Sequence, residues 1–403
     1  MQSDIQHPAS SSLRRSIPAQ PLHIPWWNGL DLAILGELAL SPSSLPTTTV
    51  DVVVVGAGVA GLSAALSARA AGAEVLVLEK AALLGYGASG RNAGILSAGI
   101  NMGITDFPAE SPQAAFWPET TQALRSLLKE AEQPNSLLSA QLTGAFSLAQ
   151  SAHAARQLAR EVKARQALGL RAELLTPEQV KEATHGRLNV QTVVKALWLP
   201  DEGRVHPLSL LAHLARKARA CGIQLVGQSE VATYQECTNA AHGSHWKLTL
   251  ADGSVLRARG LIKATGPVVQ ANARIYALAF VIDLPASFPL FWDAAPYLYA
   301  DYRAGDGRLV VSGGRYGKAG ITKHDQRYYR HLAAGARQWL PELVEQEPAF
   351  TWAVDLQVAP NLIPALDTPG TTAPGISIEG LGALGVLPGI VLGQRAGASI
   401  SQK

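Results

Sequence analysis

The chain has 403 residues, 47% of them hydrophobic and 16% charged, with a net charge of +3. That length allows two or three domains with ample core, and the composition fits a soluble α/β protein. So small and dispersed a charge argues against nucleic acid or an acidic membrane surface as partner. The two cysteines, Cys221 and Cys237, lack metal spacing and make no disulfide framework, so a reducing, cytoplasmic compartment is expected.

Residues 1–20 carry Ser, Gln and Pro, with Arg14 and Arg15 as the only bases. They read as a disordered or loosely laid arm, not as a signal peptide. The arm continues to about residue 46 through Pro25-Trp26-Trp27, whose adjacent indoles suit packing across the globular body. No apolar run is long enough to span a membrane: the stretches 52–63 and 381–393 are short and broken by glycine or proline.

Residues 51–79 hold the strongest local signal. Val52 to Val55 form an apolar β-branched run that suits a strand buried on both faces. Gly56-x-Gly58-x-x-Gly61 follows, with Val59 and Ala60 inside it, and then an Ala/Leu-rich helix. A second apolar run, Val75 to Leu78, ends at Glu79 and Lys80. Gly56 permits the tight turn, Gly58 lets a pyrophosphate approach the helix N-terminus, and Gly61 lets helix and strand pack closely. Glu79, 23 residues after Gly56, can accept hydrogen bonds from ribose hydroxyls. The unit reads as a dinucleotide site.

The segment Gly85-Tyr-Gly-Ala-Ser89-Gly90-Arg91-Asn92-Ala93-Gly94 is a glycine-rich loop with exposed donors. It reads equally as a surface turn or as a second cradle, in which Arg91 neutralises phosphate and Ser89 and Asn92 donate hydrogen bonds. Residues 111–194 are expected to be mainly helical, with helices over 120–132 and 150–168. Thr176-Pro-Glu-Gln179 carries a capping box. A helix ending near Gly222, a β-meander to Ala258 and a buried strand ending at Ala264-Thr265-Gly266-Pro267 come next. Around the turn 304–307, alternating aromatics and aliphatics predict an antiparallel hairpin. The strand-like Gly375–Glu379 then leads through Gly380, Gly382, Leu384, Gly385 and Val386 into a helix over about 387–400.

These blocks, in this order, resemble the D-amino-acid-oxidase superfamily of FAD enzymes (glycine, sarcosine and γ-glutamylputrescine oxidase-like) over about residues 46–403. The carriers are Asp51–Glu79, Gly87–Gly94, Asp201-Glu-Gly-Arg-Val-His-Pro207 and Gly380–Gly389 with its helix. The resemblance implies an α/β fold: a discontinuous Rossmann-like FAD-binding domain with an α+β substrate domain containing an antiparallel sheet. Its segments would be 47–110, 195–270 and 355–403 for FAD, and 111–194 and 271–354 for substrate. It further implies that the backbone at Val231 meets the adenine and that Ala264, Thr265 and Gly266 lie along the cofactor. The loop Gly382–Leu387 would face the flavin's pyrimidine edge, where a helix dipole supports negative charge.

The activity so implied is oxidation of a CH–NH bond in an amine or amino acid, with reduced FAD reoxidised by O2. A quinone or carrier protein as acceptor, a non-catalytic redox sensor and an NAD enzyme stay open as alternatives. No cysteine in the C-terminal loop and no histidine over 79–100 points to noncovalent FAD. Arg315 could clamp a substrate carboxylate or form an ion pair. Tyr299 and Trp352 could line the substrate cavity or pack as core, as could Tyr297 and Tyr302. His206 reads as structural, and Lys318 and Lys323 as oxygen-activating or solvated. Leu384 and Ala93 replace residues that are polar or glycine in many relatives, which leans toward a more apolar amine. No metal is expected.

Overall fold

The structure, a computed structural model, describes residues 23–239, 243–266, 271–294 and 300–401. The expected arm over 1–20 and the residues Pro267, Tyr297 and Tyr299 lie outside the described residues.

Val50–Val55 runs through the first sheet, parallel to Val75–Leu78 on one side and to Val255–Lys263 on the other. Its side chains alternate between two cores. Val52 and Val54, with Val75 and Val77, join the core of the helices Val59–Ala70 and Val386–Ile400. Val53 and Val55, with Leu76 and Leu78, meet Trp246, Leu248 and Leu256 on the opposite face. A run of valines suits a strand that is dry on both faces, and each such side chain contributes about 1.5–3 kcal/mol. The sheet order is Val231–Asn239, Gly243–Leu250, Val255–Lys263, Val50–Val55, Val75–Leu78 and Gln224–Val226. Gly375–Glu379 also joins Val255–Lys263, and Ala365–Asp367 pairs with Gly375–Glu379.

The helix Val59–Ala70 and the C-terminal helix Val386–Ile400 touch backbone to backbone. A Cβ at Gly393 would overlap the carbonyl of Ala60, and one at Gly397 that of Ala64. Ser67 Oγ donates to the Gln394 carbonyl at 2.7 Å across the same contact.

A second sheet runs in the order Phe350–Leu356, Ala273–Val281, Arg308–Lys318, Ala300–Gly305, Leu290–Asp293, Ala145–Ala149, Lys195–Leu199 and Glu173–Leu175. Its hairpin turns at Asp306-Gly307, both at positive φ (58° and 68°), which suits a primed turn. Two expectations are refined here. Segment 111–194 carries the expected helices but also three short strands, Ala140–Leu142, Ala145–Ala149 and Glu173–Leu175. Ala145–Ala149 is buried along its whole length, and a run of five residues is too short to show a helical or a strand period. Lys195–Leu199, assigned to the FAD segments, pairs antiparallel with that buried strand instead.

The helix Phe116–Ala131, conversely, packs on the C-terminal helix, with Arg395 Nη2 2.5 Å from Glu119 Oε1. The expected division at 111 and 195 therefore does not follow the sheets. Ala152–Ala167 forms as expected, and Thr176 caps Pro177–Ala183 through reciprocal bonds with Gln179. A small sheet, Ile95–Leu96, Gly203–Val205 and Ala140–Leu142, lies between the two large ones in the chain order. Among the described residues, no helix is long and apolar enough to cross a membrane.

Candidate active site

The fingerprint turn is held by contacts that exclude side chains. Gly56 has φ +101°, and a Cβ there would lie 2.5 Å from the Ala264 carbonyl. A Cβ at Gly61 would overlap the carbonyl of Gly56. Gly58 differs: its Cβ would meet only Ser89, with Oγ at 2.9 Å. Glu79 is fixed at the strand end, where Oε2 accepts from Ala57 N and Oε1 from Ala81 N, both at 3.0 Å.

The glycine loop comes to this turn. Ser89 Oγ accepts from Val59 N at 3.1 Å, capping the helix, and its own proton remains free to donate. Asn92, expected to donate to a ligand, instead staples the loop. Its Nδ2 donates to Ser89 O at 2.6 Å and its Oδ1 accepts from Gly94 N at 2.8 Å. Two indoles anchor the loop from outside: Trp26 Nε1 donates to Asn92 O at 2.9 Å and Trp352 Nε1 to Arg91 O at 2.8 Å. The adjacent Trp27 stacks on Tyr86 at 5.9 Å. The paired tryptophans thus pack, and they brace the loop.

A cleft of about 540 Å³ opens between the fingerprint turn, this loop and the strand Phe350–Leu356. Gly56, Gly58, Val59, Ala60, Glu79, Lys80, Ser89 and Arg91 line it, with Ala264, Thr265, Gly266, Gly382 and Gly385. A second cavity of about 130 Å³ continues from it past Arg91, Ser89, Gly382 and Gly385, which line both. Asn92, Ala93, Leu384, Val386, Leu387 and Trp352 belong to this inner cavity. Burial lowers the pKa of the Arg91 guanidinium against the opposing pull of Asp355. Asn101 holds the last glycine loop: Nδ2 donates to Leu381 O at 3.1 Å and Oδ1 accepts from Leu384 N at 3.0 Å.

Several expected residues lie elsewhere. Gly61, Gly90 and Gly94 line neither cavity; each is pressed against backbone and shapes the cradle from behind. Val231 starts the outermost strand of the meander and lines neither cavity. Arg315 is exposed and lines neither. The cause is an irregularity: Tyr276 pairs with Gly313 but Arg274 with Gly317, so extra residues loop out where Gly313 and Gly314 take positive φ. Lys318 and Lys323 are exposed and line neither cavity. Tyr302 is core, stacked on Phe291 at 4.4 Å. His206 accepts from Ser209 N at 3.3 Å as a helix cap, and burial holds its pKa down to about 4.

Other residues take the places beside the inner cavity. Tyr276, Asp301 and Ser312 line it, the last two facing each other across the hairpin. Ser97 lines it from the chain just after the glycine loop. Strand alternation from the hairpin turn points to Ser312, but no sequence signal marks Ser97 or Asn101. Arg274, at the cleft wall, is held by Asp325 at 2.8 Å and Asp355 at 2.9 Å.

The donor set fits a dinucleotide. Two helix N-termini, at Gly58 and Gly385, open on one cleft that carries a cation and a carboxylate. Tyr86 Oη is buried at the cleft wall with no hydrogen-bond partner among the described residues. Among the described residues, no cluster of His, Cys, Asp and Glu could hold a metal ion.

A family model described as FAD dependent oxidoreductase matches residues 51–398. The fold is similar to that of L-proline dehydrogenase from P. horikoshii, at 19% identity and TM-score 0.73, covering 88% of this chain and 94% of that one. It is also similar to glycine oxidase from Geobacillus kaustophilus, at 20% identity and TM-score 0.71, covering 88% and 95%. In sequence, a fumarate reductase (cytochrome) from Shewanella frigidimarina is 47% identical over 64 residues, 16% of this chain. That match spans 10% of the relative's own length.

Proposed function

The chain belongs to the FAD-dependent oxidoreductase family, and from that premise we propose that it oxidises a CH–NH bond of a small amine or amino acid. The observation that carries the reading is the inner cavity of about 130 Å³, which shares Arg91, Gly382 and Gly385 with the cofactor cleft. Its size suits a small substrate held beside the cofactor's redox-active end. The two similar structures, an L-proline dehydrogenase and a glycine oxidase, support the same class.

Gly56, Gly58, Ser89 and Glu79 would hold the adenosine and phosphates noncovalently, with Arg91 offsetting their charge. FAD, when bound, supplies the hydride acceptor and passes the electron pair onward. The chain's own residues do the rest. Trp352, Val354 and Leu387 exclude water from the cavity. Tyr276, Asp301 and Ser312 offer polar contacts that orient the amine. The N-terminus of Val386–Ile400 supports negative charge that develops near Gly385. The product imine is hydrolysed by water. We take O2 as the final acceptor and the cytoplasm as the location; Cys221 and Cys237 are both free thiols.

The test is anaerobic bleaching of the bound flavin by a panel of amines and amino acids. The expected result is bleaching by at least one small member, followed by oxygen uptake with peroxide release. Bleaching without oxygen uptake would assign a quinone or carrier acceptor. No bleaching by any member would sink the amine-oxidising reading and favour redox sensing.

A further inference from the structure

One wall of the inner cavity is a row of residues in register across the second sheet. Trp352 pairs with Ala277, Ala277 with Ser312, and Ser312 with Asp301. All four line the cavity. Ala277 and Trp352 belong to the core shared with the cofactor half, whereas Val311 and Tyr302, the neighbours of Ser312 and Asp301 along their strands, belong to the core on the other side of the sheet. Strand alternation therefore turns Ser312 and Asp301 toward the cavity. Arg303, two residues on and on the same face as Asp301, gives its charge to Asp306 at 2.9 Å. Ala93, Ile95, Leu384 and Leu387 make other parts of the cavity wall apolar. Among the described residues that line it, the charged ones are Arg91 and Asp301. Arg91 is shared with the cofactor cleft, and Asp301 is not.

A half-buried carboxylate beside apolar walls repels an anion, and attracts a cation, more strongly than it would in water. It can accept at about four sites, so a bond from a neighbouring donor and one from substrate coexist. The cation it attracts is not the reacting nitrogen. The C–H bond breaks with its pair, which leaves as hydride for the bound FAD, and the nitrogen lone pair forms C=N. That nitrogen has therefore already given its ammonium proton to water and is neutral when it reacts. A cation against Asp301 is then a second nitrogen of the same molecule, joined to the first by a chain that the apolar wall accepts.

We propose that Asp301 sets the specificity of the inner cavity and that the substrate is a diamine, with one neutral amine at the cofactor and one ammonium on Asp301. The proposal rests on the amine-oxidising reading above and narrows it. A molecule with a carboxylate in place of the second ammonium meets like charge and is rejected. Ser312, next to Asp301 in the row, offers its hydroxyl oxygen to the same ammonium.

The test is anaerobic flavin bleaching in the holoenzyme by three amines of similar length: butane-1,4-diamine, pentylamine and 4-aminobutanoate. The series is repeated one methylene shorter and one longer, so that chain length does not decide. The diamine should bleach about thirtyfold more efficiently than the alkylamine, as a charge-assisted contact implies, with the amino acid last. Asp301→Asn should bring diamine and alkylamine within about threefold of each other. Asp301→Lys should place the amino acid ahead of the diamine. Equal efficiency of diamine and alkylamine in the wild type, or a preference that survives unchanged in Asp301→Asn, overturns the assignment while leaving amine oxidation standing. The amino acid first in the wild type overturns it as well and gives the charge selection to Arg91. Should the variants not fold, the wild-type order decides by itself. If no amine bleaches the wild type, the functional reading fails first and the diamine falls with it.

Discussion

Gly58 and Gly61 share a motif but resist substitution for different reasons. At Gly61 a methyl group would overlap backbone, the Gly56 carbonyl. Gly61→Ala should therefore cost about 1–3 kcal/mol by urea unfolding, and the protein should purify with less flavin. At Gly58 the obstacle is the Ser89 hydroxyl, which can rotate away. Gly58→Val should keep most of the stability yet lose the flavin, because the branched side chain fills the phosphate approach. A yellow Gly58→Val protein would remove the cofactor from this turn. Arg315 carries the opposite lesson. It is exposed and lines neither cavity, so Arg315→Ala should leave KM for any substrate within about twofold. A tenfold loss confined to carboxylated substrates would restore it as a clamp.

His206 gives a pH prediction. Burial holds its folded pKa near 4, below its unfolded value. Between about 6.5 and 4 the unfolded chain binds a proton that the folded chain refuses, so stability falls as pH falls through that window. His206→Asn keeps a capping acceptor and removes the titration. Relative to wild type it should gain about 2 kcal/mol on going from pH 7 to pH 5. Thermal melts at both pH values measure it, and an unchanged gap between the two proteins would contradict the buried neutral imidazole.

At the scale of elements, the helices Val59–Ala70 and Val386–Ile400 work as a pair. Both N-termini open on the cofactor cleft, and Gly393 and Gly397 set how closely the helices approach. Gly393→Val should force them apart. The expected cost is about 3 kcal/mol of stability, and FAD affinity should drop because the two dipoles no longer converge. Retained FAD affinity in a destabilised Gly393→Val would show that the helix pair supports the fold alone. The sequence marked both helices through their glycines and small residues. It could not mark their contact, since a periodic pattern shows which face of a helix is apolar but not which distant helix covers it.

At the scale of the molecule, the site forms where the second sheet reaches the glycine loop. Trp352 makes the join: its ring lines the inner cavity while its Nε1 holds the Arg91 carbonyl. Trp352→Phe keeps most of the ring and deletes the bond. We expect about 1 kcal/mol of stability lost and severalfold weaker FAD retention on gel filtration, with a larger KM. No change in either would mean that the loop is held by Trp26 alone.

The sequence by itself determined the cofactor half. Val52–Val55, the glycine triplet and Glu79 are local in the chain, and each demand of a dinucleotide turn falls on a neighbouring residue. The helix caps and the hairpin turn at Asp306-Gly307 were legible for the same reason. Only the tertiary structure decided the substrate half. The irregularity at Gly313-Gly314 turned Arg315 out to solvent, and parity along a strand cannot be counted through such extra residues. The buried strand Ala145–Ala149 hid within a segment that looked helical. Asn101 holds the last glycine loop through Leu381 and Leu384, 280 and 283 residues away, by backbone contacts that leave no pattern in the chain.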